Sequence, residues 1–191
     1  MKIHTLQTER LYLRQWQASD FAIFAQINAD PEVMRYFPKV LSPKLSDTIA
    51  NKCQQIIGDN GWGFWAVGLK ECASETERFI GFVGLNHTHA DLPFAPSVEI
   101  GWRLHKDYWG QGYATEAAQA ALQFAFETLV LNKVVAFTAV INEPSQKVMQ
   151  RLGMIDTQDS FYHPMLKPNH RLAEHVLYEI TREQWLQKLN S

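Results

Sequence analysis

The sequence lacks most of the features that mark secreted, membrane-spanning or nucleic-acid-binding proteins. Only two cysteines occur in 191 residues, Cys53 and Cys72, and they form no CxxC pattern, which argues against a disulfide framework or a zinc site. No stretch of about 18 uninterrupted apolar residues is present, so no membrane-spanning helix is predicted. The formal net charge of −2 provides no basic excess that would indicate nucleic acid as a partner.

These absences favour a cytoplasmic protein with one domain. The first ten residues contain no apolar segment of the kind found in signal peptides, and the two cysteines are typical of free thiols in a reducing compartment. The length and the 46% hydrophobic content fit a single core, so we assign residues 1–191 to one domain. The histidines are scattered without the spacing of metal ligands, and we expect no metal site.

The order of the predicted elements is that of a mixed α/β fold. Strands at 64–69 and 78–85 are joined by the polar run 70–77, which predicts an antiparallel hairpin. A strand, an alanine-rich helix and a second strand follow between residues 98 and 141, and this succession predicts a parallel pair. Helices are predicted at 44–57, 113–128 and 143–152, and Gly58 and Gly153 are expected to end the first and the last of them.

The most informative segment is a turn with two glycines, WGQGYATEA at 109–117, between a strand and a helix. The first N–H groups of a helix have no intrahelical acceptor, and the helix dipole adds partial positive charge there. The two glycines allow a tight turn and let an anion approach without meeting a Cβ atom. The segment therefore predicts a cradle for a pyrophosphate, made by the backbone of Gly110, Gln111, Gly112, Tyr113 and Ala114.

An ordered set of segments resembles the GNAT superfamily of acyl-CoA N-acyltransferases. Within it, the chain is most similar to the RimJ/RimL-like branch of ribosomal-protein N-terminal acetyltransferases. The resemblance runs over nearly the whole chain, and its segments are TERLYLR at 8–14, IGFVG at 80–84, EIGW at 99–102, YWGQGYATEA at 108–117, NEPS at 142–145, RLGM at 151–154 and HVLY at 175–178. Trp109 stands where the superfamily usually has Gln or Arg at the start of the pyrophosphate motif, as the RimJ/RimL branch tolerates.

This resemblance implies a fold and a co-substrate. The expected fold is a central mixed, mostly antiparallel sheet flanked by helices on both faces, with one parallel strand pair splayed to admit CoA. The expected donor is acetyl-CoA, whose peptide-like pantetheine arm can pair with an exposed strand edge. We expect that edge to be Trp102, Arg103 and Leu104, directly before the phosphate turn, and Asn142 to add a bidentate hydrogen bond to the arm.

The resemblance also implies direct attack of a neutral amine on the thioester, without an acyl-enzyme. Glu99 lies on the strand that leads into the turn and is predicted to accept the amine proton through a water molecule. Many superfamily members carry a tyrosine acid seven residues after the asparagine, but this chain has Met149 there, which cannot donate a proton. By resemblance to the branch, Ser145 is then the residue predicted to protonate the departing thiolate.

Each of these assignments has a structural alternative. Glu99 can be an outward-facing strand carboxylate, and Ser145 can simply cap or solvate the helix at 143–152. Asn142 can be the N-cap of that helix, which does not exclude a contact with CoA. Glu116 is expected to complement the dipole of its helix rather than to contact substrate.

The aromatic residues are expected to serve mainly as core. Tyr36 and Phe37 are weaker candidates for a wall of the acceptor cleft. The residues predicted to pack in the core, with one or two at the cleft, are Trp62, Phe64, Trp65, Phe79 and Phe82.

The acceptor is predicted to be a protein or peptide N-terminal amine. An α-amine titrates near pH ~8 and a lysine near ~10.4, so the α-amine needs less help to become neutral. The alternatives are a small amine, such as a polyamine, an amino acid or an antibiotic, and a module that binds acyl-CoA without turnover. No nucleic acid or membrane partner is expected, and the resemblance makes a homodimer plausible.

Overall fold

The structure is a computed structural model that describes residues 2–70 and 78–189. Within these residues the chain forms eight strands and five α-helices. Two compact units are present: Met1–Leu85 with Gly101–Ala121, and Asn86–Ile100 with Leu122–Ser191. The assignment of residues 1–191 to a single domain stays a prediction. Cys72 and most of the predicted hairpin loop at 70–77 lie outside the described residues.

The first unit contains a run of antiparallel strands. The first four strands form three successive antiparallel pairs, β1 with β2, β2 with β3 and β3 with β4. Their bounds are β1 (Leu6–Gln7), β2 (Leu11–Arg14), β3 (Phe64–Leu69) and β4 (Phe79–His87). The later part of β5 (Val98–Leu104) lies beside β4, where a Cβ atom built on Gly81 would meet the Arg103 carbonyl oxygen at 2.1 Å. Only glycine therefore fits at position 81 of β4.

The helical elements of the first unit connect and follow these strands. They are α1 (Ala18–Ala29), a 3₁₀ turn (Val33–Tyr36), α2 (Pro43–Asn60), a second 3₁₀ turn (Lys106–Tyr108) and α3 (Tyr113–Gln123). The predicted end of α2 at Gly58 was wrong, because the helix continues to Gly61, which adopts the left-handed conformation with φ 80°. A Cβ atom at Gly58 would meet nothing within 4 Å, so glycine is tolerated there but not required.

Aromatic side chains fill the core of the first unit, as the sequence predicted. Trp16, Phe24 and Phe79 are buried, and the Trp16 ring lies 4.9 Å from the Phe24 ring and 5.4 Å from the Phe79 ring between centroids. The Trp16 indole N–H donates to the Phe64 carbonyl at 2.8 Å, which satisfies its polar atom inside the core. Of the predicted core set, only Phe64 is half-buried, whereas the other four members are buried.

The second unit supplies the parallel pairing. β5 pairs parallel with β6 (Lys133–Ala139), β6 pairs antiparallel with β8 (Glu174–Thr181), and β8 pairs antiparallel with β7 (Ile155–Tyr162). The expected mixed, mostly antiparallel fold with one parallel pair is therefore confirmed. The β5–β6 register contains a single residue pair, Glu99 with Val135, so the parallel ladder stops almost where it begins.

The helices of the second unit follow their predicted bounds closely. α4 spans Glu143–Leu152 and ends at Gly153, whose φ of 83° is left-handed, and α5 spans Arg182–Leu189. The helix predicted for 113–128 is α-helical only to Gln123 and continues as a π-helix over Phe124–Thr128. In the described part of the chain, no helix is long and apolar enough to cross a membrane.

Candidate active site

The glycine turn before α3 has the predicted open backbone. Gly110 and Gly112 have φ values of 74° and 83°, which glycine adopts without strain. A Cβ atom at Gly110 would meet nothing within 4 Å, so its surface is free for a ligand. Helix α3 begins when the Glu116 N–H donates to the Gly112 carbonyl at 2.9 Å. Among the described residues, no backbone carbonyl outside the helix accepts from the N–H groups of 110–115, which fits an anion site.

Several hydrogen bonds hold this turn in place. The Trp109 indole N–H donates to the Leu104 carbonyl at 2.9 Å and ties the turn to the end of β5. The Gln111 side-chain amide donates to the Asp107 carbonyl at 3.0 Å, which directs that side chain back toward the 3₁₀ turn. The cradle is thus organised before any ligand binds, so less ordering entropy is lost on binding.

Arg10 belongs to this turn, although the sequence analysis gave it no role. Its guanidinium donates to the Gln111 carbonyl at 3.1 Å, lies over the Tyr113 ring at 4.4 Å from the centroid, and pairs with the Glu116 carboxylate at 2.6 Å. Arg10 lies in the TERLYLR segment, about one hundred residues before the turn in the sequence, so no local pattern indicated that the two are in contact.

Glu116 fixes the chain entering β2 to the start of α3. Its carboxylate accepts from the Thr8 hydroxyl at 2.5 Å and from the Arg10 backbone N–H at 2.9 Å. Burial raises the pKa of the Glu116 carboxyl, but the hydrogen bonds from Thr8 and Arg10 outweigh it, so the pKa lies below its ordinary value. The expectation that Glu116 has a structural role in the first turn is confirmed, with a network of partners added to the dipole effect.

Two residues of the predicted strand edge for the pantetheine arm, Arg103 and Leu104, already make hydrogen bonds within the protein. The Leu104 carbonyl accepts the Trp109 indole N–H at 2.9 Å, which leaves one of its two lone pairs for another donor. Trp102 is half-buried on β5. The Arg103 side chain leaves the strand to reach Asn28, to which its Nη1 donates at 2.6 Å. Roles for these three residues in CoA binding stay predictions.

In the second unit, Glu99 lies in an environment that disfavours the charged form of its carboxyl. Burial raises the pKa of its carboxyl to about 7, although the hydrogen bond from the Asn86 amide, at 3.4 Å, opposes this rise. Its side chain is half-buried, and it pairs across the parallel ladder with Val135. Its catalytic role and the alternative of an outward-facing strand carboxylate both stay predictions.

Asn142 and Ser145 are in direct contact at the start of α4. The Asn142 amide donates to the Thr138 hydroxyl at 2.7 Å and to the Ser145 hydroxyl oxygen at 3.1 Å, and its oxygen accepts from the Ser145 N–H at 3.4 Å. Asn142 is therefore the N-cap of α4, which was one of the two roles predicted for it. A bidentate bond to CoA would have to replace contacts that this buried side chain already makes.

Ser145 keeps its own proton available. Its oxygen accepts from Asn142, so its hydroxyl hydrogen can point elsewhere, and the side chain is half-buried rather than sealed. Met149, at the position of the superfamily's tyrosine acid, is buried at 2% exposure and offers no proton. The Asn142 amide already donates to Thr138 and to Ser145, whereas the Ser145 hydroxyl donates to no described residue.

Among residues 2–70 and 78–189, no three His, Cys, Asp or Glu side chains are grouped closely enough to hold a metal ion. The phosphate turn and the end of β5 fall in the first unit, whereas Glu99, Asn142 and Ser145 fall in the second.

Comparison with known proteins identifies the family. The domain described as an acetyltransferase (GNAT) domain matches residues 10–155. The chain belongs to the GNAT family of N-acetyltransferases. The GNAT fold, the enzyme class and the use of acetyl-CoA as acetyl donor follow from this membership.

Individual relatives match over nearly the whole of this chain. The uncharacterized N-acetyltransferase YnaD of Bacillus subtilis (strain 168) is 29% identical over 94% of this GNAT chain and 98% of its own. The FsC-acetyl coenzyme A-N(2)-transacetylase of Aspergillus fumigatus is 29% identical over 95% of this chain and 78% of its own. The crystal structure of a GNAT-family acetyltransferase from Bacillus anthracis superposes with a TM-score of 0.77 at 25% identity, covering 94% of this chain and 99% of that one.

Proposed function

We propose that this acetyltransferase acts on the N-terminal α-amine of a protein or peptide and belongs to the RimJ/RimL-like branch. The observation that carries the proposal is the Glu99 carboxyl, whose pKa is raised to about 7. A base with this pKa takes up a proton from an α-ammonium group of pKa ~8 with little loss of driving force. Removing a proton from a lysine, with its pKa near ~10.4, would be harder for the same carboxylate.

The other parts of the site have complementary roles in this proposal. Acetyl-CoA supplies an activated thioester, and the N–H groups of 110–114 hold its pyrophosphate, with Arg10 supporting the turn. The backbone of Trp102 and Arg103 orients the pantetheine arm. The Ser145 hydroxyl, held by Asn142, gives its proton to the sulfur as the thiol leaves. Neither step requires an acyl-enzyme, because the described cysteine, Cys53, is buried and its pKa is raised to about 11 by burial.

Thiol release from acetyl-CoA, followed with a chromogenic disulfide, tests the proposal against a panel of amines. We expect turnover with peptides of several residues and a loss of kcat/KM as the peptide is trimmed to one residue. Equal turnover of single amino acids and small amines would favour the small-molecule alternative, and the relative named for N(2) transacetylation gives that alternative some support. Calorimetric binding of CoA without turnover of any amine would favour a binding module.

Three further expectations complete the proposal: a cytoplasmic location, a single acyltransferase domain over 1–191, and a homodimer. The buried Cys53 thiol is consistent with a reducing compartment. Size-exclusion chromatography with light scattering measures the oligomeric state directly, and a mass of about 22 kDa would contradict the dimer.

A further inference from the structure

The Arg103 side chain occupies an unusual environment in the first unit. It leaves β5 and lies against aromatic rings, with its guanidinium carbon 4.0 Å from the centroid of Phe37 and 5.5 Å from that of Phe82. Its one hydrogen bond goes from Nη1 to the Asn28 side-chain oxygen at 2.6 Å. Asn28 is itself buried, and its amide donates to the Ser46 hydroxyl at 2.8 Å, so its oxygen is oriented toward Arg103.

No negative charge compensates this guanidinium. Among the described residues, no carboxylate lies within 4.0 Å of Arg103. The neighbouring Cys53 thiol is neutral, because burial raises its pKa to about 11. Arg14 in the same unit shows the contrast, since the Asp20 carboxylate accepts from its Nη1 at 2.7 Å and its Nη2 at 2.9 Å.

The two nitrogens that remain unpaired form one edge of the guanidinium. Nε is buried and has no hydrogen-bond partner. Nη2 also has no partner, but it is not fully buried, so solvent can reach it. Because Nε is sealed from solvent, a ligand reaches the guanidinium at Nη2, where one charge-assisted hydrogen bond to a carboxylate oxygen can form. Burial lowers the pKa of Arg103 to about 10, as expected when the lost hydration is not replaced.

A buried charge without a partner destabilises a fold, so its retention needs a reason other than stability. We propose that the unpaired Nη2 of Arg103 binds a carboxylate of the acceptor, so that the substrate is an amine that also carries an acid group. The Phe37 ring beneath the guanidinium was predicted as an acceptor wall, and the phosphates of CoA are assigned to the separate turn bounded by Arg10. This inference rests on the proposed function, and it argues against polyamines, which are cations throughout.

Matched acceptors test the inference. Each acid is compared with its own carboxamide: an amino acid with its amide, a dipeptide with its C-terminal amide, and a peptide with Asp at the second position with its Asn counterpart. We expect the acid of at least one pair to exceed its amide by about 10- to 100-fold in kcat/KM, the range of a charge-assisted hydrogen bond. The pair that shows the difference tells whether the carboxylate comes from the main chain or from a side chain.

The variant Arg103→Met keeps the length and apolar stem of the side chain but removes the charge. We expect the acid preference to disappear in this variant and to persist in Arg78→Met, a substitution of an exposed arginine. Arg103→Lys keeps the charge without the fork and should retain only part of the preference. Equal turnover of acids and amides by the unmodified enzyme, or an unchanged preference in Arg103→Met, would overturn the inference.

Two further measurements separate the possible failures. Arg103→Met removes a buried charge but leaves the buried Asn28 oxygen without its donor, so these two effects oppose each other in the thermal midpoint. Calorimetry of the variant with CoA separates an effect on the acceptor from one on the pantetheine contacts proposed for the Arg103 backbone. A midpoint lowered by several degrees together with an unaltered acid preference would assign Arg103 a purely structural role. Absence of CoA binding by the unmodified protein would defeat the proposed function itself, whereas CoA binding with turnover of only carboxylate-free amines defeats this inference alone.

Discussion

The substitution Glu99→Gln should reduce activity and increase stability at the same time. Burial raises the pKa of Glu99 from an ordinary value of 4.5 to about 7, so the folded protein prefers the protonated carboxyl. As pH rises from 4.5 to 7, the unfolded chain releases this proton before the folded protein does. The folded state of the unmodified protein therefore loses stability across that window, and glutamine, which does not titrate, avoids the loss.

The size of the effect follows from the two pKa values. Each pH unit between them is worth 1.36 kcal/mol, so the difference between the variant and the unmodified protein at pH 8 is at most about 3 kcal/mol. The partial exposure of Glu99 reduces this upper value. For a chain of this length, about 1 kcal/mol moves the thermal midpoint by about 2–4 °C. The two proteins should therefore differ by several degrees at pH 8 and by little at pH 4.5.

The activity of the same variant should change in the opposite direction. Loss of a general base typically costs a factor of about 10² to 10⁴ in rate. The unmodified enzyme should show kcat/KM rising with pH through about 7, followed by the ionisation of the acceptor amine, and Glu99→Gln should keep only the second ionisation. The substitution of the exposed Glu9 by Gln is the matched control, for which neither the pH profile nor the midpoint at pH 8 should move.

Calorimetric melts at pH 4.5 and 8, combined with pH–rate profiles, measure both effects. His175, whose pKa is lowered to about 4 by burial, loses its contribution to stability as pH falls from 6.5 to 4. This loss is common to both proteins and cancels in their difference. A variant that is less stable than the unmodified protein at pH 8, or that keeps the ionisation near 7, would show that the buried carboxyl is not the base.

Three other substitutions test separate parts of the site. Gly110→Val should lower CoA affinity at least tenfold in calorimetry, because a β-branched residue is strained at a φ of 74°. The control Gly58→Ala, inside α2, should instead raise the free energy of unfolding by about 0.5–1 kcal/mol. Arg10→Met breaks the ion pair with Glu116 and should weaken CoA binding several-fold with little change in the pH profile of turnover; equal affinity would dissociate Arg10 from the turn. Ser145→Ala should slow turnover of acetyl-CoA more than of a donor with a more acidic thiol, and equal slowing of both donors would argue against proton donation.

The sequence predicted those parts of the fold that depend on local chemistry. Helix α4 runs over its predicted residues because Asn142 caps its start and Gly153 takes the left-handed conformation at its end. The same reasoning was wrong at Gly58, since a glycine ends a helix only where the chain needs a positive φ, and that need arises three residues later at Gly61. The π-helix at Phe124–Thr128 has no sequence signal, because its apolar pattern also fits an α-helix.

In the candidate site, too, the features that could be predicted are those formed by residues close together in the sequence. The shape of the glycine turn could be predicted because the glycines and the start of α3 are adjacent in sequence. The pairing of Arg10 with Glu116 could not, because it joins residues that are distant in the chain. Arg103 was assigned to the site through its backbone, while the feature that distinguishes it, a side chain packed on Phe37 without a counter-charge, depends entirely on tertiary structure.

The bond from the Trp109 indole to the Leu104 carbonyl has a consequence for donor selection. It fixes the distance between the end of β5 and the glycine turn. In the proposed function, β5 orients the pantetheine arm and the turn binds the diphosphate, so this fixed distance selects the length of the arm between them. Under that proposal, a thioester carrier one methylene longer or shorter would bind through its phosphates but would hold its carbonyl carbon away from the position for attack.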